Sequence, residues 1–291
     1  MGNSKARTAP TADDATGTDV ATTAAAGGVV PYDYGNDAGK GFENQDAADY
    51  GVPFVALLQS KSKAVEKEGS TMRGGMLMLT DTQETFDGKT GFLFVPSTTQ
   101  HVFNLWVPRA KGGGLVGRLA PGDAAIEAAM EKAGKRVGKG IVDKEGNEVV
   151  ETFYIYGQLV SEDGDCLGMA VIGCNSTKIK PYQGLMGRLR KHLVNTPKGK
   201  FNPPLFANLI RVTTELEQYT EGSSYNFRFT PAVEGDLVKS LLRTDDPRYI
   251  AARSVRDMVD SGQIKASAKG EAAARGSAES EPGDASSDKD F

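Results

Sequence analysis

The chain has 291 residues, with 34 Lys and Arg set against 38 Asp and Glu, and 39% of its residues are hydrophobic. No apolar run approaches the roughly 20 residues that cross a bilayer, and the start MGNSKARTAP lacks the apolar core of a secretory signal, so no membrane association is expected. Two cysteines (Cys166, Cys174) and two histidines (His101, His192) make no disulfide framework and spell no zinc site.

Residues 1–40 are rich in Ala, Thr, Gly and Asp, a composition that predicts a disordered arm. The body is expected over 41–262. Its first strand signals are RGGMLML (Arg73 to Leu79) and GFLFVP (Gly91 to Pro96), with Asp87-Gly88 as a hairpin turn between them. HVFNLWV (His101 to Val107) reads as the next strand. The triplet Gly88-Lys89-Thr90 is no phosphate-binding loop, because Gln83 stands where the first glycine belongs.

A glycine-rich stretch, VPRAKGGGLVGR, follows with Arg109, Lys111 and Arg118 around it. Its backbone N–H groups could cradle phosphate, or it could be a mobile hairpin tip. GDAAIEAAMEKAG (Gly122 to Gly134) is a helix former between strands. VVETFYIYGQLV (Val149 to Val160) and CLGMAVIGC (Cys166 to Cys174) then read as a hairpin turning at Asp163-Gly164. On the first of these strands Tyr154 and Tyr156 share one face, Phe153 and Ile155 the other. The tyrosines are therefore candidates for stacking on bases, with the Phe and Ile filling the core.

Ser176 to Arg211 carries eight cations, Lys178, Lys180, Arg188, Arg190, Lys191, Lys198, Lys200 and Arg211, and no Asp or Glu. Within it Tyr182, Leu185, Met186, Leu189 and Leu193 fall on one helical face, which turns Arg188, Lys191 and His192 outward with Arg190 at the flank. Such a stripe can neutralise a row of phosphates, or it can be a solvated helix face balanced by acids elsewhere. NLIRVTTEL (Asn208 to Leu216) and SYNFRF (Ser224 to Phe229) complete the strands. A last helix is capped by Asp246, opened by Pro247 and closed by Gly262. The fold class expected is a β-rich α+β body, an OB-like barrel or sandwich with helical insertions, between disordered tails.

From 263 to 291 the composition again predicts disorder. The last residues carry Glu279, Glu281, Asp284, Asp288 and Asp290 against Lys289, and end in Phe291. A tethered acidic tail can occupy a basic groove, be displaced by nucleic acid, and then recruit a partner; it can also serve only as a solubilising tail. In Asp288, Asp290 and Phe291 the tail resembles that of bacterial and T7-type phage single-stranded DNA-binding proteins. That resemblance implies an OB-fold and contacts between the tail and other replication proteins. Over most of Gly41 to Phe229, the phrases GFENQDAADYGVPFVALLQS, FVPSTTQHVFNLWVPRAKGGGLVG and STKIKPYQGLMGRLR resemble an uncharacterised group of tailed-phage proteins.

The function expected is a phage single-stranded DNA-binding protein of replication or recombination, working in the host cytoplasm without a cofactor, a metal or catalysis. Its partners would be single-stranded DNA and, through Asp288, Asp290 and Phe291, phage or host replication proteins; self-association is compatible with the sequence. The nucleic-acid site would comprise the eight cations above with Tyr154, Tyr156, Arg109 and Lys111. The alternative is a virion or head-assembly protein whose basic patch meets packaged DNA or an acidic neighbour.

Overall fold

The computed structural model describes residues 51–135, 140–220 and 222–278, all in the unit spanning residues 46–291. In chain order the elements begin with β1 (Val55–Leu57), α1 (Lys63–Glu66), β2 (Leu77–Leu79), β3 (Thr85–Phe86), β4 (Phe92–Trp106), β5 (Leu115–Leu119) and α2 (Ala124–Ala133). They continue with β6 (Glu148–Val160), β7 (Cys166–Asn175), α3 (Ile179–Lys191), β8 (Val194–Thr196) and β9 (Gly199–Phe201). The last are β10 (Ile210–Tyr219), β11 (Gly222–Pro231), α4 (Pro247–Asp260) and α5 (Ala268–Ala278). The architecture is β-rich, with antiparallel sheets and a few helices. The main sheet runs β11-β10-β4-β6-β7, with β5 also paired to β4; β1, β2 and β3 form a second sheet, and β8 and β9 an isolated hairpin.

The sequence suggests two strands on either side of Ser97–Gln100, but the structure has one, β4. Its register against β6 shifts between Pro96 and Thr98, and this bulge accommodates the proline that looked like a break. The extra residue also reverses the side-chain alternation. Before the bulge Phe92 and Phe94 face the core beneath α3, while Leu93 and Val95 meet Ala252 of α4. After it Val102 joins the α4 side, and the His101 ring turns to the α3 side, stacking 4.2 Å from Phe153.

Both faces of the sheet are therefore covered. Ile155, Leu159, Ile172, Ile210, Val212 and Phe227 pack beneath α3 and the second sheet. Tyr154, Tyr156 and Val171 pack against Phe54, Val255, Ile264 and Ala266. The hairpins β6–β7 and β10–β11, and α2 and α4, form where turn and capping residues place them. Asp123 and Asp246 each accept a backbone N–H two residues on.

Asp87-Gly88 does turn the chain, but it leads from β3 to β4, which lie in different sheets, so it is not a hairpin turn. The Asp87 carboxylate accepts from the N–H groups of Lys89 (2.8 Å) and Thr90 (3.2 Å). Gly88 is obligatory there because a Cβ would fall 2.0 Å from the Gly75 carbonyl oxygen. Part of the glycine-rich stretch likewise becomes β5, paired to the end of β4.

The outer edge of β11 is closed by side chains. The Gln59 amide accepts from Tyr225 N–H (2.8 Å) and donates to its carbonyl (3.0 Å), as a neighbouring strand would. The Asn226 side chain accepts from Phe227 N–H, and Arg188 donates to the Phe229 carbonyl at 2.5 Å.

The span 263–278 is folded, which corrects the expected tail boundary. Ile264 and Ala266 are buried, Ala266 bridges Val52, and α5 packs on β1. The sequence AKGEAAARGSA has little apolar surface to dock, and charge fastens it instead. Glu271, only 6% exposed, receives Arg118 at 2.9 Å and Asn104 at 2.5 Å. Arg275 pairs with Glu148 at 2.9 Å and lies over the Trp106 ring, 4.5 Å from its centre.

Candidate nucleic-acid interface

Helix α3 forms because Tyr182, Leu185, Met186 and Leu189 recur at helical spacing and all four are buried. Each contributes about 2 kcal/mol of burial. Pro181 sits in the first turn, where its missing N–H leaves no bond unmade. Asn202 fastens the other end: its side-chain amide lies 2.7 Å from the carbonyls of Leu189 and His192, and 3.3 Å from that of Arg190. The carbonyls of Arg190 and His192 thus gain a donor, and that of Leu189, which already accepts from His192 N–H, gains a second. Lys180, Arg188, Arg190 and Lys191 are exposed on the face away from the core. The last three sit in the final turn, where the helix dipole favours positive charge.

Beyond α3 the β8–β9 hairpin pairs Val194 with Phe201, Asn195 with Lys200 and Thr196 with Gly199. Thr196 bridges the turn, accepting from Lys198 N–H and donating to the Gly199 carbonyl. Lys198 and Lys200 are exposed. Because Asn202 directly follows β9, this small ribbon is anchored to the C-terminal end of α3, next to Arg190 and Lys191.

The eight cations of this stretch differ in their surroundings. Arg211 is held by the Glu162 carboxylate through two hydrogen bonds, 2.6 and 2.8 Å, and by the Thr90 carbonyl at 3.0 Å. The same pair holds the Glu162 carboxyl below its ordinary range. Arg211 is thus paired with groups of the protein itself, at the surface. Lys178 lies half-buried over the Phe227 ring at 5.9 Å, and Arg188 is tied to Phe229. Lys180 is exposed but faces Glu217, whose carboxyl is lowered by hydrogen bonds from Asn226 and Tyr219 and, to a smaller degree, by this lysine. Among the described residues no carboxylate pairs with Arg190, Lys191, Lys198 or Lys200.

Tyr154 and Tyr156 do not present their rings to solvent; they are 0% and 1% exposed. Their shared face is as the alternation implied, but α4 and the 264–266 segment cover it. The Tyr154 hydroxyl contacts Asn104 and receives Arg118 Nε at 3.2 Å. Burial, with the Glu271 carboxylate nearby, pushes its phenol pKa up. Tyr156 donates to Gln100 and accepts from Ala266 N–H. Neither ring can take a base in this arrangement.

The glycine-rich stretch does not join the patch either. Arg118 is committed to Glu271, Tyr154 and the Ala266 carbonyl. Lys111 is exposed on the turn before β5, its ammonium reaching towards Gly146. The Arg109 side chain lies outside the described part of the structure. A cleft of about 590 Å³ opens on the α4 side of the sheet, lined by Gln100, Tyr156, Arg118, Val259, Asp260 and Lys265 among others. With Arg118 engaged and Asp260 in its lining, it does not extend the basic surface.

An exposed ring lies on the ribbon instead. Phe201, on β9 between Lys200 and Asn202, is 50% exposed, and Leu193 at the base of the hairpin is 57% exposed. The signal was present in NTPKGKF, a Pro-Lys-Gly turn leading into a short strand. Cys166 and Cys174 are free; burial pushes the Cys174 thiol up to about 12. Among the described residues no group of three or more His, Cys, Asp or Glu is placed to hold a metal, and no helix is long and apolar enough to cross a membrane. Asp288, Asp290 and Phe291, and the N-terminal arm, lie outside the described residues.

Residues 23–265 match the family described as Pam3 phage gp34-like protein, and the chain belongs to that family. The matched span ends before α5 begins. No curated protein and no solved structure matches the chain.

Proposed function

We propose that this member of the Pam3 phage gp34-like family is a single-stranded DNA-binding protein, acting without catalysis in phage replication or recombination in the host cytoplasm. The observation that carries the reading is the unpaired charge of Arg190, Lys191, Lys198 and Lys200. In a chain with formal charge −4, four cations stand in water at one helix end and one ribbon, with no described carboxylate to balance them. Phosphates are the ligands that such a surface takes up, because each one neutralised releases condensed counterions. Lys180 and Arg188 share the helix but are partly engaged, by Glu217 and by the Phe229 carbonyl. Contacts of this kind grip the backbone and carry no sequence preference.

The frame would be the antiparallel sheet itself, whose end strands β11 and β7 do not pair among the described residues. β4 is shared between β6 and β10, and α3 crosses from β7 to β10 in a five-stranded path β11-β10-β4-β6-β7. The acidic residues Asp288 and Asp290 with Phe291 would recruit replication partners, as the tail resemblance implies.

The test is anisotropy of a labelled oligo-dT titrated with the protein across a salt series. Binding should weaken with salt by about 0.7 log units per log unit of salt for each phosphate neutralised. Reversing Arg190, Lys191, Lys198 and Lys200 to Glu should abolish it while leaving the melting curve in place. Failure of the wild type to bind at low salt would overturn the reading in favour of a role in the virion or head assembly.

A further inference from the structure

We infer that Phe201 is a base-stacking platform, the apolar half of the site whose charged half is Arg190, Lys191, Lys198 and Lys200; this rests on the nucleic-acid reading above. Single strands differ from duplexes in offering unpaired π-faces, and proteins that hold them without sequence preference set aromatic rings among cations. The rings expected to do so, Tyr154 and Tyr156, are in the core. Among the described residues two large aromatic rings are substantially exposed, Phe201 at 50% and Tyr219 at 39%.

Their surroundings separate them. The Tyr219 hydroxyl donates to Glu217, on a strand that also carries Glu215. A phosphate backbone would be repelled there. Phe201 lies on a ribbon bearing Lys198 and Lys200, and is one residue from Asn202, whose amide grips the carbonyls at the end of α3 beside Arg190 and Lys191. The ring is therefore exposed and anchored at once. A side chain on a free loop would lose more conformational entropy on stacking than one on a ribbon already fastened at its base.

The neighbours also leave room. Gly199 is the same-face neighbour two residues back; even a Cβ built there would only reach ordinary contact, 3.8 Å from Phe201 Cε2. Val194 lies opposite in the ladder. The hydrophobic effect alone gives no reason to leave a phenyl ring in water at the base of a two-stranded ribbon; a flat apolar ligand carrying negative charge supplies one.

The experiment measures three proteins, wild type, Phe201→Ala and Phe201→Trp, on oligo-dT and on an abasic oligonucleotide of equal length and charge. Phe201→Ala should weaken oligo-dT binding roughly 5- to 150-fold, keep the salt slope, and leave the abasic oligonucleotide bound as by wild type. Phe201→Trp should retain affinity, and the new indole should be quenched by oligo-dT and not by the abasic strand. Equal affinity of wild type and Phe201→Ala for oligo-dT, with salt-sensitive binding intact, would overturn the stacking role and leave the charge-based reading standing. A loss of self-association in Phe201→Ala, with oligo-dT binding unchanged, would overturn it in favour of a protein contact. Absence of wild-type binding to either strand would remove both.

Discussion

Two basic stretches of this chain look alike on paper and are used in opposite ways. Residues 107–118 bring Arg118 into the interior, where it holds the Glu271 carboxylate, the Tyr154 hydroxyl and the Ala266 carbonyl. Residues 188–200 leave Arg190, Lys191, Lys198 and Lys200 in water without a described carboxylate. Arg118 substitutes for a hydrophobic contact, fastening a helix of small residues that could not otherwise dock. The four outward cations fasten nothing inside the molecule. A cation becomes informative about an external ligand only when its internal partners are known.

The comparison can be pressed by substitution. Arg118→Ala leaves Glu271 buried without its counter-charge and should cost about 3 kcal/mol in chemical denaturation, with α5 released first. Trp106, now 3% exposed beneath Arg275, would report that release as a red-shifted emission. If Arg118→Ala melts like wild type, α5 is not held by this pair.

Asp246 serves the interior from another position, capping α4 and pairing with Arg248 at 2.7 Å. Asp246→Ala should cost about 1 kcal/mol. Hydrogen bonding from Arg248 is the main cause that holds the Asp246 carboxyl below its ordinary value. The contribution is therefore complete above the carboxyl's unfolded pKa, near about 4, and is lost as pH falls through the lower folded value. The difference between Asp246→Ala and wild type should shrink in acid; a gap that persists at low pH would argue against the charged cap.

Arg211→Ala removes a more exposed pair and should cost no more than about 1 kcal/mol. Its salt slope on oligo-dT should match wild type, which distinguishes it from its neighbours in sequence. Lys191→Ala should do the reverse, leaving stability within about 0.5 kcal/mol and flattening the salt slope by about 0.7. Equal slopes for the two variants would dissolve the distinction between inward and outward cations.

What could be read from the sequence follows the same division. The helix α3 and its exposed cations were legible because periodicity is local, as were the β6–β7 turn at Asp163-Gly164 and the cap at Asp246. Less legible was whatever depended on distant partners. Tyr154 and Tyr156 alternate as expected, yet their burial depends on Val255 and Ile264, about a hundred residues on. Arg211 lies in an acid-free stretch, and its carboxylate arrives from the β6–β7 turn. Helix α5 reads as disordered because its docking rests on ion pairs reaching 127 and 153 positions back along the chain. β4 reads as two strands because Pro96 and the four polar residues after it resemble a loop, whereas a bulge carries them within the strand. The exposure of Phe201 is not legible because one phenylalanine in a short segment has no periodicity to place it.

The Gln59 side chain has a consequence for the fate of the protein at high concentration. A bare outermost strand is a template on which a second chain can add, and the hazard grows with concentration. By presenting one amide to both the N–H and the carbonyl of Tyr225, Gln59 occupies the site at which such growth would start. Gln59→Ala should therefore form aggregates that scatter light as concentration rises, at temperatures where the fold itself is intact. The unaltered chain would then owe its colloidal stability to a residue far from any ligand.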